Sequence, residues 1–268
     1  MAATAMAVLA ITILMVATNN ITPVKNPMPT THAFVFQRLI AGFGVIICSA
    51  LLLLAVPRFI AGLYALYPEA AYNQTQEKLP PEAYQKSIND LNLALSWYQN
   101  PEYWQLQGIM YLKFVMALPF PEPAKKQALL EQAQLSTMQG LKLSPVDPQS
   151  WFRLAVLDSL LNTPEQQIIN ALRLSFYAGR VEPELLISRL SFAYNYYNQF
   201  DKDLQLIWEK QVLVAWALQS KQLVTFVALH PEAKQLVEKA FIYSPDDWKK
   251  LSNDLEIYLK KNSSPKKK

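Results

Sequence analysis

The sequence predicts an all-α protein in which an N-terminal transmembrane helix is followed by a series of helical hairpins. The chain has 268 residues, 51% of them hydrophobic and 17% charged, with only six glycines but 18 prolines. Strand-rich folds and phosphate-binding loops need glycine for tight turns and for close backbone approach. Proline is tolerated in the first turn of a helix, so a proline ahead of apolar residues at helical spacing marks a helix start. Scarce glycine and frequent proline therefore favour helices.

The membrane segment is predicted at residues 39–64, after an N-terminal lead at residues 1–38. Residues 39–56 are uncharged without interruption and are bounded by Arg38 and Arg58. A helix that crosses the hydrocarbon core of a bilayer needs about 17–25 apolar residues. The sequence therefore predicts one span, with the membrane as a partner of the chain.

A second apolar stretch, residues 2–17, leaves open whether the chain has one membrane span or two. Either the stretch is an artefact of the assigned start site and the chain begins at Met28, or it is a marginal membrane helix or a signal segment. Basic residues near the span ends, Lys25 and Arg38 before it and Arg58 after it, give only a slight orientation bias. One span predicts a translocated body, whereas two spans predict a cytoplasmic one.

The rest of the chain is predicted to form a linker, a helical domain and a tail. Residues 65–81 are rich in Asn, Gln, Glu and Pro, which is typical of a linker. The helical repeat domain is predicted at residues 82–261. Residues 262–268 are predicted to be a lysine-rich disordered tail, with anionic lipid headgroups as an alternative contact.

Two consecutive helical hairpins are indicated between residues 101 and 158. Counted from Pro101, the aromatic and small positions of a repeat fall on Trp104, Gly108 and Tyr111, and a second unit opens at Pro148 with Trp151, Leu154 and Ala155. Counted back from Pro145 as the closing proline, the small positions of the second helix fall on Ala133 and Gly140. This spacing resembles the tetratricopeptide repeat. Small residues let two helices approach closely. The resemblance implies a short solenoid whose groove binds another molecule and contains no chemistry of its own.

The later helices are predicted from caps, prolines and apolar spacing. Thr163 followed by Gln166 indicates a capped helix start, and Gly179 indicates the end of that helix. Further helices are predicted over residues 183–200, 202–219, 221–229, 231–243 and 244–260. Alternating prolines in residues 117–123 cannot continue a helix, so that segment is predicted to be a connecting loop or a partner-contacting surface.

No catalytic, cofactor-binding or metal-binding residue is predicted. The chain has two histidines, His32 and His230, and it has no glycine-rich phosphate loop or zinc-protease motif. The net charge of +4 depends on lysines near the C-terminus, so the body lacks the basic face of a nucleic-acid reader. We therefore expect a protein that is not an enzyme and has no nucleic-acid partner.

Aromatic residues are the candidates for binding a protein partner. Two aromatic clusters, in residues 97–104 and 192–200, either pack between hairpins or line a groove. Arg189, together with Asn195 and Asn198, would suit polar contacts to a ligand such as a sugar. The residues predicted to bind the partner are Tyr103, Trp104, Tyr111, Trp151, Arg153 and Tyr196.

Parts of the helical body resemble the VpsP-type polysaccharide-biosynthesis accessory proteins of Gram-negative bacteria. The segments that carry this resemblance are residues 148–151 and the run from Ala171 through Gly179 to Leu190. The resemblance covers roughly residues 38–229. It implies a cytoplasmic lead, a bacterial inner-membrane anchor and a periplasmic helical-repeat body. The segment before Met28 departs from that layout.

The same resemblance implies a function without catalytic residues. It implies a scaffold or accessory protein in exopolysaccharide or cell-envelope polysaccharide biosynthesis and export, acting on a protein partner of the synthesis and export complex. One alternative is a repeat scaffold of another envelope assembly or secretion system. The other is a glycan-binding module, or a glycan-handling enzyme, that uses the tyrosine-rich residues 192–200.

Overall fold

The described part of the protein is entirely helical. The computed structural model describes residues 31–74 and 79–263, and side chains within residues 39–262. These residues form ten α-helices and two short 3₁₀-helices (Tyr197–Gln199 and Pro231–Ala233) and contain no strand. The α-helices are α1 Thr31–Asn73, α2 Pro81–Trp97, α3 Pro101–Ala117, α4 Pro123–Leu143, α5 Pro148–Leu160, α6 Glu165–Ala178, α7 Leu186–Tyr194, α8 Lys202–Leu229, α9 Lys234–Ala240 and α10 Pro245–Ser263.

The all-α prediction is confirmed, and the predicted starts of α3 at Pro101 and α5 at Pro148 match the structure. The repeat-like solenoid remains a prediction. The alternatives for residues 2–17 lie outside the described residues, as do the last lysines of the tail.

The chain divides into two compact units, which meet in sequence between Tyr103 and Trp104. In the first unit, the later part of α1 packs against α2. Small residues of α1 are buried at every turn, and they face apolar residues of α2; the buried residues are Ala61, Ala65, Pro68 and Ala71 on α1 and Tyr84, Ile88, Leu91 and Leu95 on α2. This contact fixes α2 to the part of α1 that follows the apolar stretch.

Helix α1 is longer than the sequence predicts. The segment predicted as a linker, residues 65–81, is helical as far as Asn73, and the helix passes through Pro57 and Pro68. A proline inside a helix removes one backbone hydrogen bond and normally favours a break. Burial of Ala65, Pro68 and Ala71 against α2 offsets that cost, so tertiary packing extends the helix beyond its local preference.

In the second unit, Gly108 brings α3 and α4 into close contact. A Cβ atom at Gly108 would lie 2.5 Å from Thr137 Oγ1 and 3.1 Å from the carbonyl oxygen of Ala133. Ala133 and Gly140, on the facing helix, are buried. The predicted approach of the small positions in the first hairpin is therefore present.

The larger core of the second unit surrounds α8. Helices α7, α9 and α10 all pack against α8. Trp208 is fully buried at its centre, and its indole Nε1 donates a hydrogen bond to the carbonyl oxygen of Leu190 at 3.3 Å. Helix α8 is interrupted at Gln219, whose φ of −142° and ψ of 46° are not helical. This kink falls at the boundary predicted between the helices at residues 202–219 and 221–229.

The predicted cap at Thr163 is wrong. Helix α6 begins at Glu165, the buried Thr163 hydroxyl has no hydrogen-bond partner, and the Gln166 amide donates to Asn170. The Thr163 backbone instead closes the end of α5. Its N–H donates a hydrogen bond to the carbonyl oxygen of Asp158. The preceding residue, Asn162, has a φ of 54°, in the left-handed region. This is the Schellman arrangement, which competes with the cap for the same residue.

Two predicted helices are shorter in the structure. The helix predicted at residues 183–200 contains only α7 before a 3₁₀ turn at Tyr197–Gln199. The helix predicted at residues 231–243 begins as a 3₁₀ turn and continues as α9 to Ala240. In both cases aromatic residues of the surrounding turns pack into the core, as Tyr197 and Phe241 do, and this packing sets the helix ends.

Candidate functional site

The first candidate site is the apolar surface of α1. Residues Leu39–Asn73 are long and apolar enough to cross a membrane, and the most apolar window of this helix has no buried residue. Its large side chains are open to the surroundings, with Leu39 65%, Phe43 66% and Leu53 77% exposed. Such a surface has a favourable environment only in contact with lipid or with another apolar surface.

A change in surface marks where the packed part of α1 begins. No residue from Leu39 to Ile60 is buried, whereas Ala61 starts a face that is buried at each turn. Arg58 lies at this point. Its guanidinium donates to the carbonyl oxygen of Leu54 at 3.0 Å and lies 4.7 Å from the centre of the Tyr98 ring. A cation beside an aromatic ring at the end of an apolar stretch is typical of a membrane–water boundary.

Helix α8 is also long and apolar enough to cross a membrane, but its environment differs from that of α1. One third of its most apolar window is buried within the protein, against none in α1. Trp208, Val212 and Ala215 are fully buried, and the charged residues Glu209 and Lys210 lie between them in the helix. We therefore interpret α8 as a core helix of the second unit.

Two of the predicted partner-binding residues pack within their own units. In the first unit Tyr103 is buried, and its burial raises the pKa of the phenol. In the second unit Tyr111 packs on a small cluster formed by Val115, Leu130, Ala133 and Leu157, and burial raises its pKa as well. Trp104 is partly exposed.

The other three predicted residues form hydrogen bonds that hold the second unit together. The Trp151 indole Nε1 donates to the carbonyl oxygen of Pro145 at 2.7 Å. Arg153 donates to the carbonyl oxygen of Gln105 at 3.1 Å and so ties α5 to α3. The Tyr196 hydroxyl donates to Ser159 Oγ at 2.9 Å. Trp151 and Tyr196 pack on the larger core, whereas Tyr111 packs on the small cluster, so these residues do not form one surface.

The tyrosine-rich residues 192–200 mainly form core contacts. The ring of Phe192 lies 5.8 Å from that of Phe152, and the ring of Tyr197 lies 5.2 Å from the indole of Trp208. Arg189, which the sequence suggested as a polar ligand contact, is fully buried. These positions favour the packing interpretation of the aromatic cluster over a sugar-binding surface.

The buried arginine has an unusual environment. Its guanidinium donates to the carbonyl oxygens of Ser175 and Gly179, each at 2.8 Å, and to Gln211 Oε1 at 3.3 Å. Burial lowers the pKa of Arg189 to about 10, and the nearby Glu182 opposes that shift. The group therefore stays charged near neutral pH, and the carbonyls at the end of α6 stabilise its charge.

The second candidate site is a groove between α6 and α8, which sequence reasoning missed. It has a volume of about 350 Å³ and is lined by apolar, aromatic and charged residues: Phe176, Tyr177, Arg180, Val181, Asp203, Leu206, Ile207, Lys210, Gln211 and Val214. We call it the α6–α8 groove. The spacing of Asp203, Leu206, Lys210 and Val214 places them on one face of a helix, which was the available signal.

Charge is distributed unevenly along the α6–α8 groove. At one end Asp203 accepts hydrogen bonds from Tyr177 at 2.6 Å and from Arg173 at 3.4 Å. At the other end lie the exposed Arg180 and Lys210. Neither forms an ion pair within residues 39–74 and 79–262. Arg173 is shared with Asp201 at 2.6 Å, so it only partly offsets the charge of Asp203. The groove therefore has one acidic end and one cationic end.

The comparisons with known proteins add no family. No protein-family model matches the chain, and no curated protein matches it significantly. Within the described residues, no group of three or more His, Cys, Asp or Glu side chains could hold a metal ion. The resemblances to the tetratricopeptide repeat and to the VpsP-type proteins therefore remain predictions from the sequence.

Proposed function

We propose that the protein is a membrane-anchored helical scaffold that acts through protein–protein interaction. The observation that carries this proposal is the apolar stretch of α1, residues 39–56, which has no packing partner among the described residues. The same helix continues without a break into the part that packs against α2. An apolar helix that is continuous with a packed helix would hold the protein at a bilayer.

The proposal extends to a pathway on the strength of the sequence resemblance. Residues 148–151 and 171–190 support an accessory role in exopolysaccharide or cell-envelope polysaccharide biosynthesis and export. In that role α1 would lie in a bacterial inner membrane, and the helical body would lie in the periplasm. Binding a synthesis or export component requires only shape and about 800 Å² of surface on each partner.

Complementation of a deletion strain tests the pathway. We expect the strain to lose surface polysaccharide and to regain it with the full chain or with a form that starts at Met28. A form whose apolar stretch carries Ile46→Arg and Leu53→Arg should not restore it, since both side chains are exposed on α1. Unchanged polysaccharide in the deletion strain would contradict the pathway and leave the anchored scaffold in place.

Topology is tested separately. A single span with a periplasmic body predicts that alkaline phosphatase fused after Ser263 is active. A fusion at the same point that is inactive would contradict a periplasmic body. It would instead favour the arrangement in which residues 2–17 also cross the membrane.

A further inference from the structure

The α6–α8 groove is the centre of an exposed apolar surface. Tyr177, Val181 and Leu206 line it and are 47%, 57% and 47% exposed. Single exposed apolar side chains are common on proteins, but contiguous ones usually mark a binding surface. No described segment of the second unit covers them.

The two free cations beside these apolar residues indicate the charge of an occupant. Arg180 and Lys210 line the groove without a carboxylate partner among the described residues. Arg189 adds a buried positive charge beneath them, through its hydrogen bond to Gln211. Asp203 is the one carboxylate in the lining, and it shares Arg173 with Asp201, at 3.4 Å and 2.6 Å respectively. With Arg180 and Lys210 against this one carboxylate, the lining keeps an excess of positive charge.

The floor of the groove is held in place before any occupant arrives. Gln211 accepts a hydrogen bond from Arg189, and its amide nitrogen donates to the carbonyl oxygen of Arg180. Gln211 is itself buried, with 4% exposure. A side chain fixed on both sides cannot collapse into the groove, so binding would require little rearrangement of this wall.

We propose that the α6–α8 groove docks an acidic peptide segment of a partner protein, with apolar side chains on the groove wall and carboxylates at Arg180 and Lys210. This inference rests on the proposed scaffold function and names the chemistry of its partner. Leu206, Lys210 and Val214 recur at helical spacing, which suits anchors one and two turns apart on a bound helix. The chain's own C-terminal segment is rich in lysine, so like charge disfavours it as the occupant.

The openness of the groove favours a peptide over an enclosed small molecule. Small-molecule sites bury roughly 70–90% of their ligand. Here the lining residues Arg180, Val181, Leu206 and Lys210 are all exposed. An occupant would therefore remain partly open to solvent, as a peptide on a protein surface does.

The test uses the full chain in lipid nanodiscs and labelled peptides of about 12 residues, or three helical turns. Three peptides share leucines at helical spacing and differ only in the remaining positions, which are glutamate, lysine or glutamine. Fluorescence anisotropy gives the dissociation constant of each peptide, and empty nanodiscs give the background. We expect the glutamate peptide to bind more tightly than the other two.

Charge-reversal variants place the binding in the groove. Arg180→Glu with Lys210→Glu should weaken binding of the glutamate peptide about tenfold, equivalent to ~1.4 kcal/mol. The same double variant should bind the lysine peptide more tightly. Lys221→Glu with Lys249→Glu changes the net charge equally at two exposed lysines outside the groove lining and should leave both affinities unchanged. Leu206→Ser should also weaken the glutamate peptide, because it removes part of the apolar wall.

Several results would overturn the proposal. Equal effects of the two double variants on peptide affinity would show that only net charge matters. An unchanged affinity in Leu206→Ser would show that the peptide does not contact the apolar wall. Binding of octyl phosphate without binding of the glutamate peptide would assign the groove to a small amphipathic anion. Self-association that Arg180→Glu with Lys210→Glu abolishes would assign it to a second copy.

Failure of this inference can be distinguished from failure of the proposed function. If the full chain is retained in membranes but no variant of the groove affects peptide binding, the groove inference alone is wrong. If the peptide binds as expected but the chain is not retained in membranes, the anchored scaffold is wrong and the groove stands.

Discussion

The guanidinium of Arg189 lies 2.8 Å from the carbonyl oxygen of Gly179, fully buried in the second unit. This bond ties α7 to the end of α6, where unpaired helix carbonyls need donors. It also places a permanent charge in the core without a hydrogen-bonded carboxylate among the described residues. The backbone, rather than an acidic side chain, therefore stabilises the charge.

Arg189→Met should destabilise the protein by about 1–3 kcal/mol, because it leaves buried acceptors without donors. Thermal unfolding of the full chain, followed by circular dichroism, measures the change. Arg180→Met is the matched control, since that side chain is exposed and should change stability little. A more stable Arg189→Met variant would show that the desolvation penalty of the buried charge exceeds the stabilisation from its hydrogen bonds.

Gly108→Ala should also destabilise the protein, although alanine favours helices over glycine by about 1 kcal/mol. The added Cβ would meet Thr137 Oγ1 at 2.5 Å and the carbonyl oxygen of Ala133 at 3.1 Å, so α3 and α4 would have to separate. Overpacking of this kind costs about 1–3 kcal/mol. Unfolding of the purified chain in denaturant gives the difference.

Gly62→Ala is the control for that prediction. A Cβ at Gly62 would lie 3.8 Å from the Tyr103 hydroxyl, an ordinary contact, so the helix preference should dominate. We expect the Gly62 variant to be as stable as the natural protein or more stable. If both variants behaved alike, close approach at Gly108 would not control the packing of α3 on α4.

Asp201 should make stability depend on acidic pH. Its carboxylate accepts from the backbone N–H of Leu204 and from Arg173, and these bonds lower its pKa in that order of importance. Because the folded-state pKa is the lower one, the unfolded chain binds more protons in acid. The stabilisation is present above the unfolded-state pKa and is lost as pH falls through the folded-state value.

The variant Asp201→Asn tests this dependence, because asparagine can still cap α8 but cannot pair with Arg173 as an anion. Near neutral pH the variant should be slightly less stable than the natural protein. In acid the two free energies of unfolding should converge. Asp254→Asn, at an exposed aspartate without a described ion pair, should show no such convergence. A constant difference at all pH values would contradict the role of the ion pair.

The hydrogen bond from Tyr196 to Ser159 should appear as coupling between the two residues. Tyr196→Phe and Ser159→Ala each remove the same bond, which contributes about 1 kcal/mol. The double variant should therefore lose little more than either single variant. Strictly additive losses, measured by chemical unfolding, would show that the bond contributes nothing.

The sequence was sufficient where a local residue controls the structure. Pro101 and Pro148 predicted helix starts, and Gly108 predicted a close approach of two helices, because each acts through its own covalent geometry. The kink at Gln219 also falls at a predicted helix boundary. These features depend little on which distant segments meet.

Most of the remaining features depend on tertiary contacts, such as the burial of Ala65 and Ala71 against α2 that extends α1. The Schellman turn at Asn162 is local, and it was missed because two local motifs compete for Thr163. The α6–α8 groove could not be predicted, because Arg180 follows the end of α6 and Lys210 lies on α8, and the sequence does not specify that these segments meet. The predicted partner-binding aromatics were chosen by type, and type alone does not distinguish core from surface.

The most direct test of the anchored scaffold is alkaline carbonate extraction of membranes that contain the full chain. The natural protein should stay in the membrane pellet, whereas Ile46→Arg with Leu53→Arg should move it to the supernatant. Leu218→Arg, at a similarly exposed leucine of α8, should leave it in the pellet. Extraction of the natural protein by carbonate, or retention of the Ile46 and Leu53 double variant, would contradict anchoring through α1.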